Sequence, residues 1–189
     1  MAHTKRSTVR VIAGLLKGRR LEAPQWAGLR PTSDGLRETL FNILFDRPAG
    51  ARVLDACAGT GAFGIEALSR GAHHVVFVDD DRRATDLVTR NLEHCGVAAQ
   101  SAVVCGALPG IATADRVKRP YDLVLVDPPY DHPEIGVILS SVAGLLEPTG
   151  VLVLERARRV VVPMVEALEV TRTVKAGDSA LDFYRPANA

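Results

Sequence analysis

Short apolar runs alternate with helical patterns along most of the chain, and that alternation predicts its architecture. The runs are Val53-Leu54, Val75 to Val78, Ala102 to Val104, Leu123 to Val126 and Val151 to Leu154. Each is too short for a helix, is rich in β-branched residues and is followed by turn residues, so each reads as a strand buried on both faces. Between them the apolar spacing predicts helices over about 62–70, 82–95, 107–118 and 134–146, with Gly71 and Gly96 where a left-handed C-cap is wanted. Such alternation predicts a doubly wound, mostly parallel α/β sheet with right-handed crossovers. Past residue 160 it stops. Segments near 168–175 and 181–185, joined through Ala176-Gly177-Asp178, then read as an antiparallel C-terminal hairpin that brings the sheet to seven strands.

Before Arg52 the pattern differs. Val9 to Ala13 and Arg19 to Leu21, joined around Lys17-Gly18, predict a small hairpin, and Gly28 to Thr32 a loop. Ser33 or Asp34 can cap a helix over about 34–46, with Leu36, Leu40, Phe41 and Leu44 on one face. The expected organisation is a basic N-terminal extension over 1–47 and a main α/β domain over 48–189.

Charge sharpens that division. The first 47 residues hold nine Lys/Arg against four Asp/Glu, and the remainder fourteen against eighteen, so a segment of net +5 sits on a body of net −4. That asymmetry suits contact with a phosphate backbone through Arg10, Lys17, Arg19 and Arg20. The cluster Arg156, Arg158 and Arg159 can widen the same surface. The composition, 47% hydrophobic and 24% charged, is that of a globular protein. No apolar run approaches the roughly 20 residues of a membrane span, and no secretory signal pattern precedes Arg10. Cys57, Cys95 and Cys105 form no CxxC pair, which suits a reducing cytoplasm, and the five histidines lack metal-ligand spacing, so no metal is expected.

Two segments carry chemistry. The strand Arg52-Val53-Leu54 runs into DACAGTGAFG (55–64), in which Gly59, Gly61 and Gly64 satisfy GxGxxG, and the next strand ends in Asp79-Asp80-Asp81. Taken alone this also fits a dinucleotide site, with the acid on ribose hydroxyls. Asp55 tilts the balance: a fixed negative charge there disfavours a pyrophosphate and favours the ammonium and sulfonium of S-adenosylmethionine. The strand Leu123 to Val126 ends in Asp127-Pro128-Pro129-Tyr130. The prolines rigidify the chain and leave carbonyls outward. A carboxylate and a carbonyl, each accepting one N–H, can hold an exocyclic amine near tetrahedral with its lone pair aimed at the methyl group. Tyr130 offers a ring for stacking the base.

The pairing of DACAGTGAFG with DPPY resembles the amino-methyltransferase branch of the Rossmann-like methyltransferases. Arg10 to Gly14, Lys17-Gly18-Arg19 and LRPTSD (29–34) running into RETLFN (37–42) resemble more narrowly the RsmD family, over about residues 9–185. The resemblance implies methylation of the exocyclic amine (N2) of a guanine in small-subunit (16S) ribosomal RNA, with S-adenosyl-L-methionine as donor and S-adenosylhomocysteine as product. It implies cofactor contacts from Asp55, Gly59 and Gly61 to the methionine part and from Asp79 to the ribose, with Ala56, Thr60, Asp80, Gly106 and Ala107 beside them. Asp127, Pro128, Pro129 and Tyr130 meet the base, with Thr32 and Arg37 near the crevice. Many relatives hold the adenine amine with a polar residue after the third strand, whereas Cys105 to Leu108 here is apolar, which leaves that contact to backbone groups. The expected partner is rRNA in an assembling 30S particle, met by a cytoplasmic monomer. The alternatives are amino-methylation of adenine or cytosine in DNA, methylation of a protein glutamine, and a non-catalytic rRNA-binding assembly factor. A ring-carbon mechanism needs a nucleophilic cysteine, and no cysteine adjoins DPPY in the sequence.

Overall fold

The computed structural model describes residues 9–24, 26, 33–129 and 132–187. The expected site residues Thr32 and Tyr130, and most of the loop before Ser33, lie outside them.

Seven strands form one sheet. β3 (Arg52–Ala56), β4 (His74–Asp79), β5 (Ser101–Cys105), β6 (Tyr121–Val126) and β7 (Leu146–Ala157) are parallel, and β8 (Leu168–Ala176) with β9 (Ser179–Pro186) forms the expected hairpin. The order is β5-β4-β3-β6-β7-β9-β8, with β9 antiparallel to both its neighbours. The chain winds from β3 outward to β5, then returns to β6 on the other side of β3. The crevice at that reversal, outside the carboxyl ends of the strands, is where such sheets bind ligands.

Period-two alternation divides the core. Val53, Val75, Phe77, Leu123, Leu125 and Val153 pack with α1 (Asp34–Leu44), α2 (Ala62–Ser69) and α3 (Arg82–Cys95). Leu54, Ala56, Val76, Val78, Val124, Val126, Leu152 and Leu154 pack with α4 (Ile135–Ala143) on the opposite face. The expected helix over 107–118 is reduced to a 3-10 turn at Gly110–Thr113. Ala112 and Val117 are buried and Leu108 and Ile111 half-buried, but Pro109 and Gly110 break the helical register. β5 departs in burial. It is the sheet edge, and Ser101, Ala102 and Val103 are only half-buried.

The N-terminal hairpin is shorter than expected, with β1 (Val9–Arg10) pairing β2 (Arg20–Leu21) over two residues each. Tertiary hydrogen bonds hold it. Glu66 of α2, fully buried, accepts from the Ile12 and Ala13 N–H groups at 2.7 and 3.0 Å, and from Arg70 Nε at 2.8 Å. Gly14, at φ 80°, lies so close to the Ser69 carbonyl that a Cβ would meet its oxygen at 1.9 Å. Val9, Val11 and Leu21 thereby join the same core cluster as β3 and β4.

Candidate cofactor and acceptor cavity

A cavity of about 640 Å³ opens at the carboxyl ends of β3, β4, β5 and β6. Its wall joins the two chemistry-bearing segments. On one side lie Cys57 to Thr60, Asp79, Asp80 and Gly106 to Leu108; on the other lie Asp127, Pro128, Pro129 and His132. The parallel register explains the meeting. Ala56 pairs with Val126, and the Asp127 N–H donates to the Ala56 carbonyl at 3.3 Å, so the loops after β3 and β6 leave the sheet side by side.

The glycine loop is held from behind. Asp79 Oδ2 accepts the Gly59 N–H at 2.8 Å and its Oδ1 accepts the Asp81 N–H at 2.9 Å. Burial raises the Asp79 carboxyl above the usual range, the two backbone donors opposing it. Gly59 sits at φ 55° and Gly61 at φ 76°, conformations that glycine adopts without a Cβ penalty. The Thr60 carbonyl accepts from the fully buried Asn91 Nδ2 at 3.0 Å.

Not every expected cofactor residue reaches the cavity. Gly59, Thr60, Asp79, Asp80, Gly106 and Ala107 line it, whereas Asp55, Ala56 and Gly61 lie behind the wall. Asp55 is only 1% exposed, and its Oδ2 accepts the Gly64 N–H at 2.8 Å. Alternation within β3 turns Asp55 to the same face as Val53, beneath α2. Gly64 makes room for it: a Cβ there would meet the Phe77 ring at 2.3 Å and Asp55 Oδ2 at 2.9 Å. Burial pushes the Asp55 carboxyl up to about 8, and its Oδ1 has no hydrogen-bond partner among the described residues.

Cys57, distant from DPPY in the sequence, lines the same cavity as Asp127. Burial, and then the carboxylates of Asp79 and Asp127, push its thiol well above the ordinary range, so it is held protonated rather than as a nucleophilic thiolate.

The expected substrate residues are not gathered at the cavity. Arg10, Lys17, Arg19 and Arg20 are exposed on the hairpin, with Arg10 paired to Asp34 at 3.0 Å and Arg19 donating to the His94 carbonyl at 3.0 Å. Arg37, expected near the crevice, is 1% exposed and lies off its wall. Its Nη2 donates to the Arg10 carbonyl at 2.6 Å and to Asp34 Oδ1 at 2.8 Å, tying α1 to the hairpin instead. In the second basic cluster, Arg156 is engaged with Asp182.

Sequence reasoning missed several wall residues. Trp26 lines the cavity with the Arg83 guanidinium 5.1 Å from its ring centre. Ser33, Leu36 and Phe63 bring α1 and α2 to the wall, and Glu155 and Ser179 bring β7 and β9. The signal for Glu155 was present: a charged residue directly ends the apolar run Val151 to Leu154.

The wall fits S-adenosylmethionine. Its volume is in the range of small-ligand sites, Asp79 sits beside the glycine backbone, and the loop admits close approach. Among the described residues no cluster of three or more His, Cys, Asp or Glu side chains could hold a metal ion, and no helix is long and apolar enough to cross a membrane.

Comparison with known proteins agrees with this geometry. The family model described as conserved hypothetical protein 95 matches residues 9–185. The chain is 34% identical to YlbH of Bacillus subtilis (strain 168) over 181 residues, covering 94% of this chain and 98% of the relative. It is 36% identical over 148 residues to Ribosomal RNA small subunit methyltransferase D of Escherichia coli (strain K12), covering 78% and 71% of the two chains. The solved structure of yhhF from Escherichia coli superposes with a TM-score of 0.83 at 31% identity, covering 95% of this chain and 98% of that one. With a family match over nearly its whole length, and relatives above 30% identity on the same fold, the chain belongs to the RsmD family of methyltransferases.

Proposed function

We propose that this protein uses S-adenosylmethionine to methylate the exocyclic N2 amine of a guanine in small-subunit ribosomal RNA. One observation carries the reading: a single cavity wall joins the glycine loop and Asp79 to Asp127-Pro128-Pro129. The name of the Escherichia coli relative supports the RNA class, and the RsmD resemblance supports the guanine amine. An rRNA substrate implies a cytoplasmic setting, with an assembling 30S particle as partner and a monomer as the working form.

When bound, the cofactor supplies an electrophilic methyl group on a sulfonium. Asp79 accepts from ribose hydroxyls, because a carboxylate that receives two backbone N–H groups still has lone pairs to offer. Gly59 and Thr60, on the cavity wall, would hold the methionine part, and Asp80, Gly106 and Ala107 the adenosine. Behind the wall, Asp55 holds the start of α2; because burial raises its carboxyl to about 8, it does not carry the fixed negative charge that the sequence led one to expect beside the ammonium. The Asp127 carboxylate and the Pro128 carbonyl accept the two N–H groups of the amine, which frees its lone pair. Asp127 then stabilises the positive charge that develops on nitrogen and accepts the surplus proton as the sulfonium leaves as a thioether. Tyr130 stacks the extruded base, and Lys17, Arg19 and Arg20 meet phosphates.

The test is direct. The protein is incubated with methyl-labelled S-adenosylmethionine and naked small-subunit rRNA, partly assembled small subunits or duplex DNA, and the labelled nucleoside is identified. N2-methylguanine from RNA is expected. Label confined to DNA would overturn the reading, as would RNA binding without any transfer.

A further inference from the structure

We infer that Trp26 contacts the adenosine half of the bound cofactor and contributes to its affinity; this rests on the cofactor reading above. Trp26 is the only tryptophan of the chain, is half-buried and lines the cavity. Helix α3 guides it there. The Glu22 N–H donates to Asn91 Oδ1 at 2.7 Å, Asn91 Nδ2 donates to the Glu22 carbonyl at 3.2 Å, and Arg90 pairs with Glu22 at 3.0 Å. Arg83 lies two turns nearer the start of that helix, about 12 Å along its axis. The stretch from Glu22 to Trp26 is long enough to span that distance. The Arg83 guanidinium stands over the Trp26 ring, 5.1 Å from its centre, and Asp81 pairs with the same guanidinium at 2.6 Å. The indole is thereby set beside the turn between β4 and α3, whose Asp79, Asp80 and Asp81 share the cavity wall with it.

That turn is the ribose end of the site, because Asp79 is the acid that would accept from the ribose hydroxyls. The adenosine half needs an aromatic surface more than the methionine half does. Cys105 to Leu108 brings no charged or amide side chain to the adenine, so recognition there falls to backbone groups and to ring contact. Every base presents a π-face, and stacking on an aromatic side chain uses it without any hydrogen-bond readout. A large ring that borders a cavity also leaves apolar surface for a ligand to cover. Charge is compatible with this placement. The cofactor carries a sulfonium, and an unpaired arginine behind the indole would repel it, but Asp81 neutralises Arg83. Arg83 thus covers one face of the ring and fixes its orientation.

The full chain is titrated with S-adenosylhomocysteine and, separately, with methylthioadenosine, which keeps the adenosine and the thioether but lacks the amino-acid part. Tryptophan emission reports Trp26 alone, and calorimetry measures binding independently. Both ligands are expected to change the emission saturably, with midpoints that match the calorimetric Kd. Trp26→Ala is expected to weaken both ligands by about tenfold or more, and Trp26→Phe, which keeps a ring, by less. Calorimetric binding with no change in wild-type emission overturns the inference, whether or not a variant folds. So does wild-type affinity in Trp26→Ala, which would leave the indole only anchoring its segment to α3. A response to S-adenosylhomocysteine but not to bound methylthioadenosine overturns the assignment to the adenosine half. Emission that answers to rRNA and to neither small ligand overturns it as well. No calorimetric binding by the wild type overturns the cofactor reading itself and this inference with it.

Discussion

The loops that leave β3 and β6 stand next to each other at the carboxyl edge of the sheet, yet they are held in different ways. The first is fixed by hydrogen bonds from behind: Asp79 to Gly59, Asp55 to Gly64, and Asn91 to the Thr60 carbonyl. Removing any of these groups loosens the backbone itself. The second has two consecutive prolines and hence fewer N–H groups to anchor. Among the described residues, the backbone bonds that flank it include the Asp127 N–H to Ala56 and the His132 N–H to Pro129, at 3.3 and 2.9 Å. Its shape comes mainly from covalent restriction of φ. The cofactor loop is thus held by side chains reaching it from neighbouring elements, and the acceptor loop by the restricted backbone of its prolines.

That contrast is tested most strongly at Asp127. Asp127→Ala is expected to lower kcat by about 10²–10³-fold while leaving S-adenosylhomocysteine affinity and melting temperature essentially unchanged. A parallel loss of cofactor affinity would show that the two loops are not separable. The counterpart is Gly64→Ala, where the new Cβ would collide with the Phe77 ring and crowd Asp55. Denaturant unfolding should show a loss of about 1–3 kcal/mol, with cofactor affinity falling as the loop shifts. Retained stability would mean that α2 moves away from the sheet freely.

Asp55 gives a pH-dependent version of the comparison. Below pH 3.8, the usual carboxyl value, the side chain is protonated in the folded and unfolded chains alike. Above it the unfolded chain releases the proton first, whereas the fold retains it up to about pH 8. The wild type should therefore lose stability relative to Asp55→Asn as pH rises from about 4 to about 8, with no further divergence above that window. Parallel stability curves would mean that Asp55 is ionised throughout. The smallest effect is expected from the exposed basic side chains of the hairpin, which are not on the cavity wall. Replacing exposed Lys17 or Arg20 by Ala should lower the slope of log affinity for rRNA against log salt by about 0.7–0.9 for each phosphate no longer neutralised. Turnover at saturating RNA should not change.

Much of the fold was legible along the chain. Helix α3 falls at Arg82–Cys95, as expected, because Asp81 caps its first turn and Gly96 accepts the left-handed conformation at φ 74°. The residues around 107–118 differ from expectation because the spacing of Leu108 and Ile111, half-buried, and of Ala112 and Val117, buried, mimics a helical face, while Pro109 and Gly110 prevent one. β7 was underestimated: Leu146 to Gly150 join the strand although several of them are polar, since they lie where the pairing with β6 is irregular. Among site residues, Asp55 and Asp79 look alike in sequence, each an acid at a strand end. Their fates differ because Asp55 lies inside β3, on the face beneath α2, whereas Asp79 closes β4 and meets Gly59.

Local pattern was enough to determine the parallel sheet, the closing hairpin, the glycine loop and the Asp-Pro-Pro-Tyr segment, because each is written in contiguous residues through periodicity or backbone restriction. Only the tertiary structure decided which side chains share the cavity. Arg37 lies off the cavity wall because its Nη2 is drawn to the Arg10 carbonyl and to Asp34, and Cys57 and Glu155 entered it through strand registers that pair residues far apart in the chain. Register and burial arise from packing between distant segments, and no local run of sequence encodes them.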